Sequence, residues 1–249
     1  SKHKKSVFMI GWEYPPHNSG GLGVACEGLT HALAQEETKV HFSLPYESKH
    51  AVGHMDMHYC VHDNWKNSHC NCQKKGQFCV HTHWEGPPFL AYSSDFIVPE
   101  MCQQTEVQDN SGYSFDLNKL RKLSTNQLEK QVTEYAEVVG KVGSDPNKNF
   151  EVIHAHDWMS FPAGQQLKKE TGKPLIAHVH STEFDRSGLS DGNQYIANIE
   201  YMGMNQADHV IAVSHYTKKL LEQKYGVDPK KITVVHNGIS DLQYPVEKG

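Results

Sequence analysis

The segment His154-Ala155-His156-Asp157-Trp158 gathers two imidazoles, a carboxylate and an indole within five residues. On a strand that ends here, His154 and His156 share one face and Asp157 opens the loop. Such groups are costly to bury without partners, so their grouping at a strand end points to a site. Imidazole and carboxylate can stabilise charge and hold hydroxyls, and the Trp158 ring can stack on the apolar C–H face of a sugar. The same residues also suit a plain strand–helix junction with its histidines bonded to backbone. A second mixture runs from His178 through His180, Ser181, Thr182, Glu183, Asp185 and Arg186 to Gly188. It combines donors, acceptors and both charge signs, as polyol recognition requires, although taken alone it reads as an Asp/Glu–Arg surface network. A third feature, Asn18-Ser19-Gly20-Gly21-Leu22-Gly23, offers backbone N–H groups at a helix entry. That suits a phosphate or sugar oxygen, and equally suits glycines that only permit tight packing. Val235-His236-Asn237-Gly238-Ile239 is by itself a strand and a turn.

The elements that must position these residues follow from hydrophobic period. Val7–Ile10 reads as a buried strand, Gly11–Gly20 as a loop, and Gly21–Glu36 as a helix. Lys39–Leu44 is a second strand. Residues 46–115 lack sustained period and read as an irregular insertion with short edge strands and loops. Leu117–Val142 has one apolar helical face. Then come strand Phe150–Ala155, helix Ser160–Thr171 closed by Gly172, strand Pro174–His180 and a polar loop Ser181–Gly192. Helix Asn193–Ala207, strand Asp208–Val213, a helix capped by Ser214 and stopped by Gly226, and strand Lys231–His236 complete the series. Such alternation predicts an α/β fold, a Rossmann-like, doubly wound and mostly parallel sheet covered on both faces. The working residues then belong at the carboxyl ends of strands.

Composition narrows the function. The chain has 249 residues and a formal net charge of −5. No broad basic surface is implied, so nucleic acid is not an expected partner. No apolar run approaches the roughly 20 residues of a membrane helix. The six cysteines lack a small secreted framework, which favours reduced thiols and a cytoplasmic location. His54, His58, Cys60, His62, His69, Cys70, Cys72, Cys79, His81 and His83 are dense enough for zinc. However, no CxxC pair occurs, and the alternation is equally that of two strands. A nicotinamide fold is disfavoured because Gly21-x-Gly23 meets Cys26 where a third small residue belongs, ten positions after the strand.

Together these residues resemble the N-terminal half of the retaining glycosyltransferases of the glycogen and starch synthase group and their broader relatives (families four and five). The likeness rests on Glu13-Tyr14-Pro15-Pro16 leading into Gly20-Gly21-Leu22-Gly23, on His154–Trp158, and on His180-Ser181. It continues through Ala207–Ser214 and His236-Asn237-Gly238-Ile239, in family order along almost the whole chain. The resemblance implies the N-terminal half of a GT-B fold. Residues 1–240 would form the acceptor-side domain and 241–249 the start of a linker. A C-terminal nucleotide-binding domain would lie beyond Gly249.

It further implies retaining transfer of a hexose, glucose foremost, from UDP-glucose, ADP-glucose or a similar nucleotide sugar to a glycan hydroxyl. No metal and no other cofactor is expected. The donor diphosphate would lie by Gly20, Gly21 and Gly23. His156 and Asp157 are the expected catalytic residues, with His156 near the anomeric carbon. Tyr14, Trp158, His180 and Glu183 are expected on donor or acceptor hydroxyls. One departure is Asn18, where glycogen synthases usually carry Lys; it removes a charge near the diphosphate and shifts weight to the broader family. A sugar-nucleotide epimerase half-domain and a stand-alone glycan-binding module are the alternatives. The chain alone is expected to fold and to be inactive.

Overall fold

The computed structural model describes residues 5–16, 21–48, 50–62, 125–187 and 193–238. Seven strands form one parallel sheet: β1 Ser6–Ile10, β2 Lys39–Leu44, β3 Asp56–Tyr59, β4 Val152–His156, β5 Leu175–Val179, β6 His209–Ala212 and β7 Ile232–Val234. Their order is β3-β2-β1-β4-β5-β6-β7. The chain thus winds outward in both directions from the β1–β4 pair. Both strands are covered on both faces: Phe8, Met9 and Ile10 of the apolar β1 are fully buried, and in β4 the buried Ile153 and Ala155 alternate with His154 and His156.

The helices are α1 Gly21–Gln35, α2 Thr125–Gly143, α3 Asp157–Thr171, the short α4 Glu183–Arg186, α5 Gln194–Gln206 and α6 His215–Tyr225. Their ends carry the expected chemistry. Asn193 Oδ1 accepts from Tyr195 N at 3.0 Å and Ile196 N at 3.3 Å. Ser214 Oγ accepts from Thr217 N at 3.0 Å. Gly172 and Gly226 close α3 and α6 in the left-handed region, at φ 68° and 61°. Helix α3 approaches the sheet so closely that a Cβ on Gly164 would lie 3.1 Å from Ala155 Cβ and 2.8 Å from Leu175 Cδ1. It therefore covers the face that carries Ala155. Side-chain alternation then puts His154 and His156 on the opposite face.

Several expectations need correction. Helix α3 begins at Asp157, not Ser160, so Pro162 sits in its second turn. The expected loop Ser181–Gly192 contains α4, whose start is a capping box. Thr182 Oγ1 accepts from Asp185 N, and Asp185 accepts in return from Thr182 N at 2.8 Å. The short edge strands expected in the insertion are met at β3, which pairs in parallel with β2 at the edge of the main sheet. Residues 63–115 of that insertion lie outside the described residues, as do the expected helix start at Leu117, the glycine Gly20, and the expected linker 241–249.

Candidate active site

In an open parallel sheet the crevice for a ligand lies outside the carboxyl ends of the strands where the winding reverses. Here that point is between β1 and β4. It gathers Gly11–Tyr14 after β1, Asp157 after β4 and the start of α1. One strand further on, β5 delivers His180.

The histidines form a two-by-two grid. His156 pairs in register with His178 on the neighbouring strand, and His154 and His180 extend the two rows along the same face. His154 Nε2 lies 2.9 Å from His178 Nδ1, and His156 Nδ1 lies 3.0 Å from His180 Nε2. The rings of His154 and His156 stack at 4.5 Å, and those of His178 and His180 at 4.3 Å. His156 is wholly buried, while His180 is partly exposed at the outer end of the grid. Burial in this cluster holds all four imidazoles neutral. It lowers His154, His156 and His178 well below the usual range and takes His180 down to about 4.

Asp157 ties the grid to the strand end. Its Oδ1 accepts the His180 N–H at 2.7 Å and the Ser181 N–H at 3.5 Å. Its backbone sits in the left-handed region at φ 57°, where a non-glycine residue is strained. Burial pushes its carboxyl up to about 7; the His180 N–H and the Arg186 charge oppose that rise. Cys26 lies in the same field, its thiol raised by burial and by the carboxylates of Asp157 and Glu13.

Sequence reasoning did not single out Glu13 as a functional group. It is 3% exposed, and its Oε1 accepts the Gly23 N–H at 2.7 Å. One of the backbone donors expected for a diphosphate is thus engaged by a carboxylate. Gly21, at the first position of α1, has open space where a Cβ would project.

Three expected sugar-binding residues are held in other roles. The Trp158 ring is 1% exposed and packs in the core, so it presents no face for stacking. Tyr14 is buried edge-on to Phe42, with its hydroxyl 3.3 Å from Thr30 Oγ1. Glu183 accepts from Arg186 Nη2 at 3.1 Å and from Asn193 N at 2.9 Å. It belongs to a network around Glu200, a buried carboxylate that sequence reasoning missed. Glu200 receives Arg186 Nη2 at 2.7 Å, the Glu183 N–H at 2.9 Å and a short hydrogen bond from the Tyr225 hydroxyl. Burial raises Glu200 to about 7 against the pull of Arg186 and Tyr225. The missed signal was helical spacing: Ile196, Glu200, Gly203 and Met204 form the buried face of α5.

The chain is 25% identical over 248 residues to an uncharacterized glycosyltransferase of Methanocaldococcus jannaschii, covering 96% of this chain and 48% of that protein. It is 24% identical over 242 residues to a Mycobacterium tuberculosis glycogen synthase, covering 96% and 49%. The chain therefore spans about half the length of the curated relatives it matches. Among solved structures, sucrose-phosphate synthase from Thermosynechococcus elongatus shares the fold with a TM-score of 0.58 at 14% identity, over 97% of this chain and 50% of that one. Arabidopsis thaliana UGT89C1 complexed with UDP does so with a TM-score of 0.53 at 10% identity, over 95% and 53%. The sheet order and these solved structures give the chain a GT-B-like, Rossmann-type fold, and the curated relatives it matches are glycosyltransferases. Residues 131–241 match Glycosyltransferase Family 4, and that stretch carries β4, Asp157 and the His178–His180 strand end.

Proposed function

We propose that the chain is the acceptor-side half of a retaining glycosyltransferase that moves a hexose, glucose foremost, from a nucleoside diphosphate sugar to a glycan hydroxyl. The observation that carries this reading is the His156–His180 pair at 3.0 Å, braced by Asp157 at the point where the sheet reverses. A neutral imidazole there offers a preorganised lone pair to the positive charge developing at an anomeric carbon. His180 is the partly exposed member and makes first contact with a sugar hydroxyl; His156 acts from below it. The diphosphate is taken by the N-terminal end of α1 at Gly21, where the helix dipole favours an anion. The donor nucleotide is bound by a second Rossmann-like domain, the part of its relatives' length that this chain does not span. Transfer proceeds without a catalytic metal.

On this reading the 249 residues alone hold a nucleotide sugar weakly, at a Kd on the order of millimolar or above, which is worth only about 4 kcal/mol. Calorimetric titration with UDP-glucose and ADP-glucose tests it, and micromolar binding by this chain argues against the two-domain donor site. A second reading, sugar-nucleotide epimerisation, draws support from Asp157, whose carboxyl at about 7 matches an acid/base group working near neutral pH. Product analysis separates the two: an epimerase returns an intact nucleotide sugar with no acceptor.

A further inference from the structure

The buried Glu13 joins the end of β1 to the first turn of α1, its Oε1 accepting the Gly23 N–H at 2.7 Å. That turn has little helical preference of its own. Gly21 and Gly23 are two of its first three residues, and only proline is less helix-prone than glycine. The chain on the β1 side, by contrast, is fixed on either side of Glu13. Gly11 N donates to Ser43 O at 3.1 Å, and the buried Tyr135 hydroxyl donates to Gly11 O. The Tyr46 hydroxyl accepts from Tyr14 N at 3.1 Å and donates to Tyr14 O at 3.3 Å. A second tie reaches the same helix, since the Tyr14 hydroxyl lies 3.3 Å from Thr30 Oγ1. Gly23, Cys26 and Thr30 belong to the buried face of α1, so Glu13 and Tyr14 hold that face about two turns apart. Only the tie at Gly23 acts on the turn that starts at the β1–β4 switch point. Burial raises the Asp157 carboxyl and the Cys26 thiol there, and the Glu13 charge adds to both rises.

We infer that Glu13 is a positioning residue for the donor: by holding Gly23 it sets the first turn of α1 so that the Gly21 N–H meets the diphosphate. This rests on the transferase reading above, in which Gly21 takes that group. Glu13 acts through the helix and touches neither sugar nor phosphate. A carboxylate suits the task, because it accepts a backbone N–H at the positive end of the helix dipole and holds the turn more firmly than a neutral acceptor. It also takes the Gly23 N–H out of the anion's reach, which directs the diphosphate to the N–H groups ahead of it.

Two measurements test the inference. In the 249-residue chain, amide hydrogen exchange follows the helix start directly. Glu13→Ala should lower the protection of the Gly23 amide by at least about tenfold and leave α6 unchanged, while Glu13→Gln, which keeps an acceptor oxygen, should stay within about threefold of the parent. In the native-length protein, steady-state kinetics with a nucleoside diphosphate glucose and a glycan acceptor separate the two substrates. Glu13→Ala should raise the donor KM about tenfold or more, with kcat and the acceptor KM within about threefold, and Glu13→Gln should restore most of the loss. Thr30→Val removes the second tie; it should lower Tm and leave the donor KM within about twofold. An unchanged Gly23 amide or an unchanged donor KM in Glu13→Ala overturns the inference. So does an equal rise in Thr30→Val, since loosening α1 anywhere would then suffice, and so does a Glu13→Gln protein as impaired as Glu13→Ala. A parent protein that turns over no donor removes the transferase reading and this inference together. An active parent beside an unaffected Glu13→Ala removes this inference alone.

Discussion

The Asp157 carboxylate accepts the backbone N–H of His180 at 2.7 Å, linking the end of β4 to the end of β5 from a left-handed backbone position. Asp157→Asn keeps an acceptor for that N–H and a residue type that tolerates φ 57°. Asp157→Val keeps neither. The folded-state carboxyl sits at about 7, above its unfolded value, so its contribution to stability is full in acid and is lost as pH rises through about 7. Asp157→Asn should therefore gain on the parent protein between pH 4 and 7, while Asp157→Val should lose about 2 kcal/mol or more throughout. Denaturant midpoints at pH 4.5 and pH 8 check both.

The histidines have the opposite sign. All four grid members have folded values below the unfolded value, and His58, in contact with His41, is lowered to about 4. Between about 6.5 and 4 the unfolded chain binds more protons, so stability falls as pH drops through that window. Asp157 and Glu200 oppose this trend but are outnumbered. Thermal unfolding from pH 7 to pH 4 should show Tm falling steadily, and more steeply in Asp157→Asn. A Tm that is flat or rises toward pH 4 would mean the grid is not held neutral.

How much of this was legible beforehand differs by element. Strand Lys39–Leu44 and the capped helix from Ser214 to Gly226 were readable because alternation and caps are local signals. The α4 turn was missed: Thr182 and Asp185 stand three residues apart as a capping box requires, but the polar composition of Ser181–Gly192 reads as loop. Trp158 was misjudged for a different reason. Its place beside His156 and Asp157 suggested a site, whereas α3 starts early enough to turn the indole into the core. Nothing local in the sequence shows that two histidine pairs on separate strands will meet in register, because strand pairing is a long-range choice.

The network around Glu200 makes a separate prediction. Removing Arg186 leaves a carboxylate that is 2% exposed without its cation. Arg186→Met should destabilise by about 3–5 kcal/mol, and Arg186→Met/Glu200→Leu should recover most of that loss. Urea unfolding of the two variants decides it; equal loss in both would show that packing, not charge, dominates.

Within the site, His156→Ala in the native-length protein should lower turnover by about 10²–10³. His180→Ala should lower it less and raise KM, since His180 is the partly exposed member. Both need a parallel unfolding curve, because His156 is fully buried. Steady-state kinetics on the two variants provide the check, and an active, folded His156→Ala would make that imidazole structural.

The most direct test of the central claim is proton NMR of the reaction of the native-length protein with α-linked nucleoside diphosphate hexoses and a panel of glycan acceptors. The account predicts release of the nucleoside diphosphate and growth of an α-anomeric signal in the product, with the donor's configuration retained. A β-linked product would contradict retention. Donor turnover without any acceptor glycoside, or no turnover of any donor in the panel, would contradict the assignment of a transferase site to the β1–β4 switch point.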